Sequence, residues 1–406
     1  MIPKDWDFIP LEQLALVERG KFTARPRNDP RYYGGSIPFV QTGDVASANG
    51  LLQSYSQTLN QEGLSVSKLF PKGSILVTIA ATIGEVAMTS IDVACPDSIV
   101  VVQAKSGVCR EWLKYALIAR KPAMETAATQ NAQKNINLQV LRPLLISTPP
   151  LEEQRKIAQI LGTWDSAIAL TENLIAAKQK RKEFLLDYLL LKNAHNEWRK
   201  LKLAELSTKP ISYGIVQTGE PVKKGIPCVR VVDLTARELK PQKMITTCEE
   251  ISQSYKKTIL EKGELMIALR GEIGLVRLVD EKLVGCNLTR GIARVSPDKR
   301  LVLPEYLLWA IRSPLFRNNL LRRVNGSALQ EIPITELRKV IVPVPPIERQ
   351  QVIANLLDTA DYEIEIIQNL FNFLQIQKRG LMQKLLTGEW RVKIEKAGQQ
   401  LTEPKT

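Results

Sequence analysis

Basic and amide side chains concentrate in four polar segments of the sequence. RGKFTARPRNDPRYYGG, residues 19–35, holds several cations and two tyrosines, and TKPISYGIVQTGEPVKKG, residues 208–225, has a similar composition. TQNAQKNIN, residues 129–137, and RRVNGSALQEIP, residues 322–333, are rich in amides. Arginine and lysine bind phosphates and guanine edges, asparagine and glutamine bind adenine edges, and tyrosine stacks on bases or donates hydrogen bonds. With three further arginines of the second half, the predicted nucleic-acid contacts are Lys21, Arg25, Arg27, Arg31, Tyr32, Tyr33, Asn131, Gln133, Lys134, Lys209, Tyr213, Gln217, Lys223, Lys224, Arg230, Arg270, Arg290, Arg323, Asn325 and Ser327.

The charge balance of the chain favours a polyanionic partner. The 406 residues include 56 Lys and Arg against 42 Asp and Glu, which gives a net charge of +14 at pH 7. A protein this basic usually binds nucleic acid. The alternative interpretation is a merely basic surface with solvated polar loops.

Motifs for catalysis are missing from the sequence. Its one histidine, His195, lies in a polar stretch where a lone imidazole is more often a bystander than a catalyst. There is neither a GxxxxGK[ST] phosphate loop nor a GxGxxG after a predicted strand. TPPL, residues 148–151, lacks the flanking residues that adenine methyltransferases use, and Asp361 with Glu363 has no metal-ligand cluster around it. We predict no catalytic residue, no metal and no cofactor, and hence a chain that is not an enzyme.

The cysteines and the apolar segments bear on location. The five cysteines are an odd number without a CxxC pair, which is typical of buried free thiols in a reducing cytosol. The N-terminal MIPKDWDFIP lacks the apolar core of a signal peptide, and no run of 18 apolar residues occurs. We predict a cytoplasmic protein with no membrane partner.

The chain repeats itself at a spacing of about 190 residues. Matching blocks keep the same order in both halves, and this order indicates duplicated domains rather than a short-period solenoid. The paired blocks are IPFVQTGDV at 37–45 with IPCVRVVDL at 226–234, GSILVTIAATIGEVA from Gly73 with GELMIALRGEIGLVR from Gly263, EWLKYALIARKP from Glu111 with EYLLWAIRSPLF from Glu305, and PPLEEQRKIAQIL at 149–161 with PPIERQQVIANLL at 345–357.

Two further details of the repeat are informative. Arg270 in LRGEIG has no basic counterpart in AATIG, residues 80–84, and a shared framework with divergent loops is expected of two readers of different sequences. At the C-terminus, GEWRVKIEK at 388–396 copies NEWRKLKLAEL at 196–206, which starts the second repeat, so the chain ends by beginning a third copy of the repeat. We therefore expect the tail to lie near the N-terminal region.

Each repeat changes character along its length. Short apolar runs broken by Gly and Pro predict strands, with helices at 110–120 and 304–312, so the fold class is α+β. Residues 150–191 and 346–387 instead have helical periodicity and begin at prolines. Helices of about 60 Å need a partner for their apolar stripe, and we predict that they pair with each other, although each could pack on its own domain instead. The predicted interface is Ile157, Leu161, Trp164, Ile168, Ile175, Leu185, Ile353, Leu357, Ile364, Phe371 and Leu381.

The two PP-initiated motifs, with KRGLMQKLLTGEWR at 378–391, resemble the specificity subunits of type I restriction-modification systems over nearly the whole chain. The resemblance implies two globular target-recognition domains in a pseudo-two-fold arrangement, separated by two long antiparallel helices that form a coiled coil. Each domain would read one half of a bipartite, asymmetric double-stranded DNA target in the major groove, and the helices would set the spacing. Two modification subunits would dock and methylate adenine with S-adenosylmethionine, and motor-nuclease restriction subunits would cleave DNA.

The predicted domain organisation follows the repeat. Target-recognition domains occupy 1–149 and 196–345, spacer helices occupy 150–195 and 346–388, and 389–406 forms the tail. The alternatives are a non-catalytic coiled-coil scaffold, a DNA methyltransferase with unrecognised motifs, and a silent specificity subunit that binds DNA without partners.

Overall fold

The structure, a computed structural model, describes residues 3–129, 135–192, 198–324 and 330–394. Two compact units are formed by Met1–Thr171 with Leu370–Thr406, the first unit, and by Glu172–Asn369, the second unit. Each unit therefore contains one repeat and one half of each long helix.

The first repeat alternates short strands with short helices. Its strands are β1 (Asp7–Pro10), β2 (Ala15–Arg19), β3 (Tyr33–Phe39), β4 (Leu51–Leu52), β5 (Gln57–Leu59), β6 (Leu69–Phe70), β7 (Ile75–Thr78), β8 (Val86–Thr89), β9 (Val93–Ala94), β10 (Ile99–Ala104) and β11 (Leu145–Thr148). Its helices are α1 (Leu11–Leu14), α2 (Thr42–Ser47), α3 (Gln61–Ser65), α4 (Arg110–Ala119), α5 (Lys121–Thr129) and α6 (Leu138–Leu141), with a 3-10 turn at Pro30–Tyr32. The long helix α7 spans Leu151–Asp187 and continues into a π-helical turn at Tyr188–Lys192.

The second repeat follows the same plan. Its strands are β12 (Arg199–Lys202), β13 (Ser212–Tyr213), β14 (Ile226–Val229), β15 (Ile245–Thr247), β16 (Leu265–Ala268), β17 (Val276–Leu278), β18 (Asn287–Leu288), β19 (Ile292–Val295) and β20 (Ile341–Val344). Its helices are α8 (Val231–Leu234), α9 (Glu249–Ser254), α10 (Pro304–Arg312), α11 (Pro314–Leu321), α12 (Ile334–Arg338) and the long α13 (Ile347–Leu386), with 3-10 turns at Leu203–Leu206, Pro241–Lys243, Lys256–Thr258 and Glu281–Leu283.

Sheet topology repeats between the units. In the first unit the sheets have the orders β2-β10-β7-β8-β4, β5-β3-β9-β6 and β1-β11, and in the second they have the orders β13-β19-β16-β17, β15-β14-β18 and β12-β20. The registers match as well, because Phe39 pairs with Ala94 as Cys228 pairs with Asn287. Duplication of the sequence is thus duplication of one α+β fold, and the predicted fold class is confirmed.

Each core is built from a central strand and one amphipathic helix. β7 and β16 are buried along their whole length, and each lies between two other strands of its sheet. Trp112 and Tyr115 of α4 pack in the first core, and Tyr306 and Trp309 of α10 take the equivalent places in the second.

The long helices α7 and α13 have 37 and 40 residues, and Gly162 and Gly380 are the glycines within them. Their starts are fixed by buried glutamines. Gln154 accepts a hydrogen bond from the backbone N–H of Cys109 (2.9 Å) and donates to the carbonyl of Pro149 (2.9 Å). Gln350 does the same in the second unit, with the N–H of Leu303 (2.8 Å) and the carbonyl of Pro345 (2.8 Å). Each PP motif thus ties its long helix to the start of α4 or α10.

Candidate nucleic-acid interface

Three predicted contact residues of the second unit converge on one open pocket. Arg230 follows β14, Arg270 lies in the turn after β16, and Arg290 precedes β19. They line a pocket of about 500 Å³, together with the exposed valines Val216 and Val232. We call this site the arginine pocket.

The backbone of each arginine in this pocket is fixed. Arg230 donates from its backbone N–H (2.8 Å), Nε (3.1 Å) and Nη2 (2.9 Å) to the carboxylate of Asp233. Arg270 forms an isolated antiparallel bridge with Glu331. The N–H of Arg290 donates to the carbonyl of Ile215 at 2.8 Å.

Charge compensation differs among the three arginines. The hydrogen bonds that Arg230 donates to the carboxylate of Asp233 raise the pKa of Arg230, and the ion pair compensates its charge locally. Among the described residues, neither Arg270 nor Arg290 has a carboxylate within ion-pairing distance. The pocket therefore presents two uncompensated guanidinium groups.

The same positions in the first unit carry different chemistry. The strand registers place Gln41, Ala80 and Asp97 where the second unit has its three arginines. Nε2 of Gln41 donates to Oε1 of Gln57 at 3.0 Å. Asp97 accepts hydrogen bonds from Nη2 of Arg27 at 2.9 and 3.0 Å. Our sequence reasoning missed Gln41 and Asp97; the alignment of the repeats does place Gln41 opposite Arg230.

The basic loop of the first unit is built on an aromatic cluster. Tyr32 and Tyr33 are half-buried and pack on Phe22, with ring centroids 6.1 and 5.9 Å from it. The hydroxyl of Tyr33 donates to the carbonyl of Arg27 at 2.5 Å, and burial raises the pKa of Tyr33. Arg31 lies over the ring of Tyr32 at 4.7 Å. The tyrosines thus support the loop, while its cations stay exposed.

The remaining predicted contacts fall into three groups. Lys209 pairs with Glu261 and Glu264, and Arg323 pairs with Glu336, so these two cations are engaged in ion pairs of their own unit. Exposed side chains are those of Lys21, Arg25, Tyr213, Gln217, Lys223 and Lys224. Outside the described residues lie Asn131, Gln133, Lys134, Asn325 and Ser327, and so does His195.

Within each unit the two long helices pack on each other and on the domain core. In the first unit Ile157 and Leu161 share a core with Leu385, and Leu381 packs against it. In the second unit Ile353 and Leu357 share a core with Leu189, and Leu185 packs against it. The two packing modes that the sequence presented as alternatives thus occur together. Other predicted interface residues are buried (Ile175) or half-buried (Trp164, Ile168, Ile364, Phe371).

Ion pairs join the two long helices in each unit. Asp165 of α7 binds Nζ of Lys378 of α13 in the first unit. In the second unit Asp361 of α13 binds Nζ of Lys182 of α7 at 2.7 Å, and Lys178 binds Glu363 at 2.7 Å. The aspartate lies on α7 in the first unit and on α13 in the second, and the lysine lies on the opposite helix each time. In the second unit Lys178 pairs with Glu363 and the later Lys182 pairs with the earlier Asp361, as expected of antiparallel helices.

The described ranges also bear on metal binding and on membrane insertion. They contain no group of three or more His, Cys, Asp or Glu residues that could hold a metal ion. No helix among them is both long and apolar enough to cross a membrane. All five cysteines are free, and burial raises the pKa of Cys228 and Cys286 to about 11.

A duplicated α+β domain with a long helix after each copy, exposed cations on a loop of the first copy and two uncompensated arginines in the second, is typical of a modular DNA-recognition protein. Residues 3–180 and 195–375 match the family model described as the type I restriction modification DNA specificity domain. Because the match covers most of the chain, the chain belongs to this family, as a specificity subunit of a type I restriction-modification system.

Individual relatives agree with this assignment. The chain is 25% identical to the type I restriction enzyme EcoBI specificity subunit of Escherichia coli, over 70% of this chain and 67% of the relative. It is 21% identical to the MjaVIII specificity subunit of Methanocaldococcus jannaschii, over 97% of this chain and 94% of that one. The solved structure of a type I restriction-modification S subunit from M. genitalium is 15% identical in sequence and superposes with a TM-score of 0.60. The match covers 95% of this chain and 96% of that chain. At this level of identity the structural match supports the fold alone. The resemblance stated from the sequence is confirmed.

Proposed function

We propose that the chain reads a bipartite, asymmetric DNA target, with one half read in the major groove by each globular domain. The observation that carries this proposal is the contrast at matching positions of one shared framework. The second unit has Arg230, Arg270 and Arg290 where the first has a glutamine, an alanine and an aspartate. Side chains that read bases must differ between readers of different sequences, whereas the strands that support them need not.

The long helices are the part of the chain that we assign to spacing. Helices of 37 and 40 residues extend about 55–60 Å at 1.5 Å per residue. Half-sites read from one face of DNA lie about 34 Å apart, one helical turn, and a helix pair of this length can impose such a separation. In this proposal residues 1–149 and 196–345 are the recognition domains, 150–195 and 346–388 the spacer, and 389–406 the tail.

The same helices are the proposed docking site for partner subunits. In the second unit the stacked rings of Phe184 and Tyr188, whose centroids are 5.9 Å apart, are exposed. Contiguous exposed apolar area of the kind that this stacked pair presents marks interaction surfaces. Further members of this exposed set are Leu174, Tyr362 and Ile366 in the second unit, and Leu170, Leu370, Phe373 and Ile376 in the first. Two modification subunits that methylate adenine would cover them, and motor-nuclease restriction subunits would join that complex in the cytoplasm.

Catalysis belongs to those partners in this proposal. The chain contributes binding energy and position, and the modification subunit flips an adenine from the duplex for methylation. Binding of S-adenosylmethionine by the isolated chain would instead favour a methyltransferase. A chain that does not bind DNA, or binds it with an affinity independent of salt, would instead favour a coiled-coil scaffold. Each phosphate contact lowers the slope of the logarithm of the binding constant against the logarithm of the salt concentration by about 0.9, so a DNA-binding chain should depend on salt.

A domain exchange tests the proposal directly. Residues 1–149 are replaced by the equivalent segment of the M. jannaschii relative, and the complex with its modification subunits is expressed in a host that lacks adenine methylation. Sequencing of methylated adenines should give a target in which one half changes and the other half stays. The matched control exchanges residues 196–345 and should alter the opposite half. If either exchange changes both halves, or if both leave the target unchanged, the two-reader proposal is wrong.

A further inference from the structure

We propose that the second unit selects guanine in its half of the target, with Arg270 and Arg290 as the side chains that read it. This inference rests on the proposed function and adds a base identity to it. Three observations support it: the charge of the arginine pocket, the close packing of Arg270, and the contrast with the first unit.

The charge of the pocket fits the edge of guanine. None of the described residues that line the pocket is acidic, so Arg270 and Arg290 have free guanidinium donors. In the major groove guanine presents two acceptors, O6 and N7, and the fork of an arginine binds both. Adenine presents a donor at N6 beside N7, and this donor opposes a guanidinium.

The pocket is built to hold Arg270 in place. A Cβ atom at Gly291 would lie 2.8 Å from Nε of Arg270 and 2.8 Å from Cγ2 of Val231. The side chain of Arg270 therefore packs directly on the backbone of residue 291, where any residue other than glycine would clash with it. Gly271 has φ of +67°, which fixes the turn that starts at Arg270. A side chain held in this way loses little conformational entropy on binding, whereas the exposed Lys223 and Lys224 are free to follow phosphates.

Comparison of the two units separates base reading from phosphate binding. A cation that served only to hold the DNA backbone would be useful to both readers of one duplex. The first unit instead has Ala80 in place of Arg270 and Asp97 in place of Arg290, and Asp97 is itself paired with Arg27. Loss of both charges from an otherwise matching framework indicates a role tied to the sequence of one half-site.

Selection from a random duplex library, with the full chain as bait, tests this inference. The wild-type chain should enrich a two-part motif that contains guanine in one half. Arg270→Gln and Arg290→Gln should each relax one guanine position in that half and weaken binding about 10- to 100-fold on the selected duplex. The control is Arg300→Gln, because Arg300 is 86% exposed, pairs with Asp298 and lies outside the pocket. This variant should keep the motif.

Replacement of single guanines by 7-deazaguanine removes N7 and adds a second readout. It should weaken binding of the wild-type chain at the positions that Arg270→Gln or Arg290→Gln relaxes, and it should have little further effect on the matching variant. Thermal melting checks that the variants fold like the wild type.

The outcomes distinguish the inference from the function on which it rests. If the variants lose affinity equally for all duplexes, with a smaller salt dependence and an unchanged motif, the arginines bind phosphates and the guanine assignment is overturned while DNA reading stands. A wild-type motif without guanine in either half overturns it too. A wild-type chain that enriches no motif overturns the proposed function and, with it, this inference.

Discussion

Glu153 is a fully buried carboxylate at the start of α7, and its partners come from the two ends of the chain. It accepts a hydrogen bond from Nε1 of Trp6 at 2.9 Å and bonds from Nε and Nη2 of Arg391 at 2.8 and 2.9 Å. Arg391 also pairs with Asp5 at 2.6 Å. A buried carboxylate needs such donors because desolvation without compensation is costly. One residue of the tail thus links the N-terminus of the chain to a long helix.

Arg391→Ala should destabilise the first unit by about 1–3 kcal/mol, because Glu153 would keep only the indole donor. The measurement is the midpoint of urea unfolding, combined with hydrogen exchange of the N-terminal segment that contains Trp6. Arg391 holds the pKa of Asp5 below its ordinary value of 3.8 through a side-chain hydrogen bond. The contribution of that pair is therefore complete at neutral pH and is lost as the pH falls through the lowered pKa. Lys393→Ala is the matched control, and equal behaviour of the two variants would contradict this role.

At the level of single residues, the sequence indicated which segments lie close together better than it indicated which side chains contact each other. The EWR motif at 389–391, which starts a further copy of the repeat, indicated that the tail belongs near the N-terminal region. Glu153 as its partner was not predictable, because the matching residue of the second repeat is Arg349. Composition predicted Tyr32 and Tyr33 as contacts, and this stays a prediction. Their packing on Phe22 depends on tertiary structure that composition does not encode.

At the scale of elements, the buried glutamines explain why both long helices start with a PP motif. Gln154 and Gln350 each cap the N–H that precedes a core helix and return to a proline carbonyl of their own motif. Hydrophobic periodicity and proline positions predicted helices at 150–191 and 346–387. The structure has α7 at Leu151–Asp187, followed by a π-helical turn to Lys192, and α13 at Ile347–Leu386. Periodicity could not predict that the first turns pack on the domain core as well as on the other helix, because both surfaces require the same apolar residues.

Gln350→Leu tests the capping role. It should lower the free energy of unfolding of the second unit by about 1–3 kcal/mol, since the N–H of Leu303 and the carbonyl of Pro345 would lose a buried partner. Gln351→Leu alters the neighbouring glutamine, which is exposed and bonded to Asn355. It should change stability by less than about 0.5 kcal/mol. Chemical denaturation of both variants gives the comparison, and a loss shared by both would rule out a specific cap.

At the scale of the whole molecule, equivalent ion pairs specify how the helices align. Asp165 with Lys378 in the first unit and Asp361 with Lys182 in the second are the same pair with the helices exchanged. An isolated exposed pair contributes little, but these pairs are partly buried and select one register among several that the apolar stripe permits. Duplication of one long helix, with its aspartate and its lysine, thus yields both helices and the ion pairs that align them.

Helix length should determine the spacing of the DNA target. Insertion of one heptad into α7 after Asn173 and another into α13 after Gln368 keeps the apolar seam nearly in phase and lengthens each helix by about 10 Å. This length corresponds to about three base pairs at roughly 3.4 Å each. Methylated-adenine sequencing should then give the original two half-sites with a spacer longer by about three base pairs. The control inserts the heptad into α7 alone, so that Asp165–Lys378 and Asp361–Lys182 cannot both form in one register, and this variant should lose stability. A double insertion that folds and methylates DNA with an unchanged spacer would show that the helices do not measure the target.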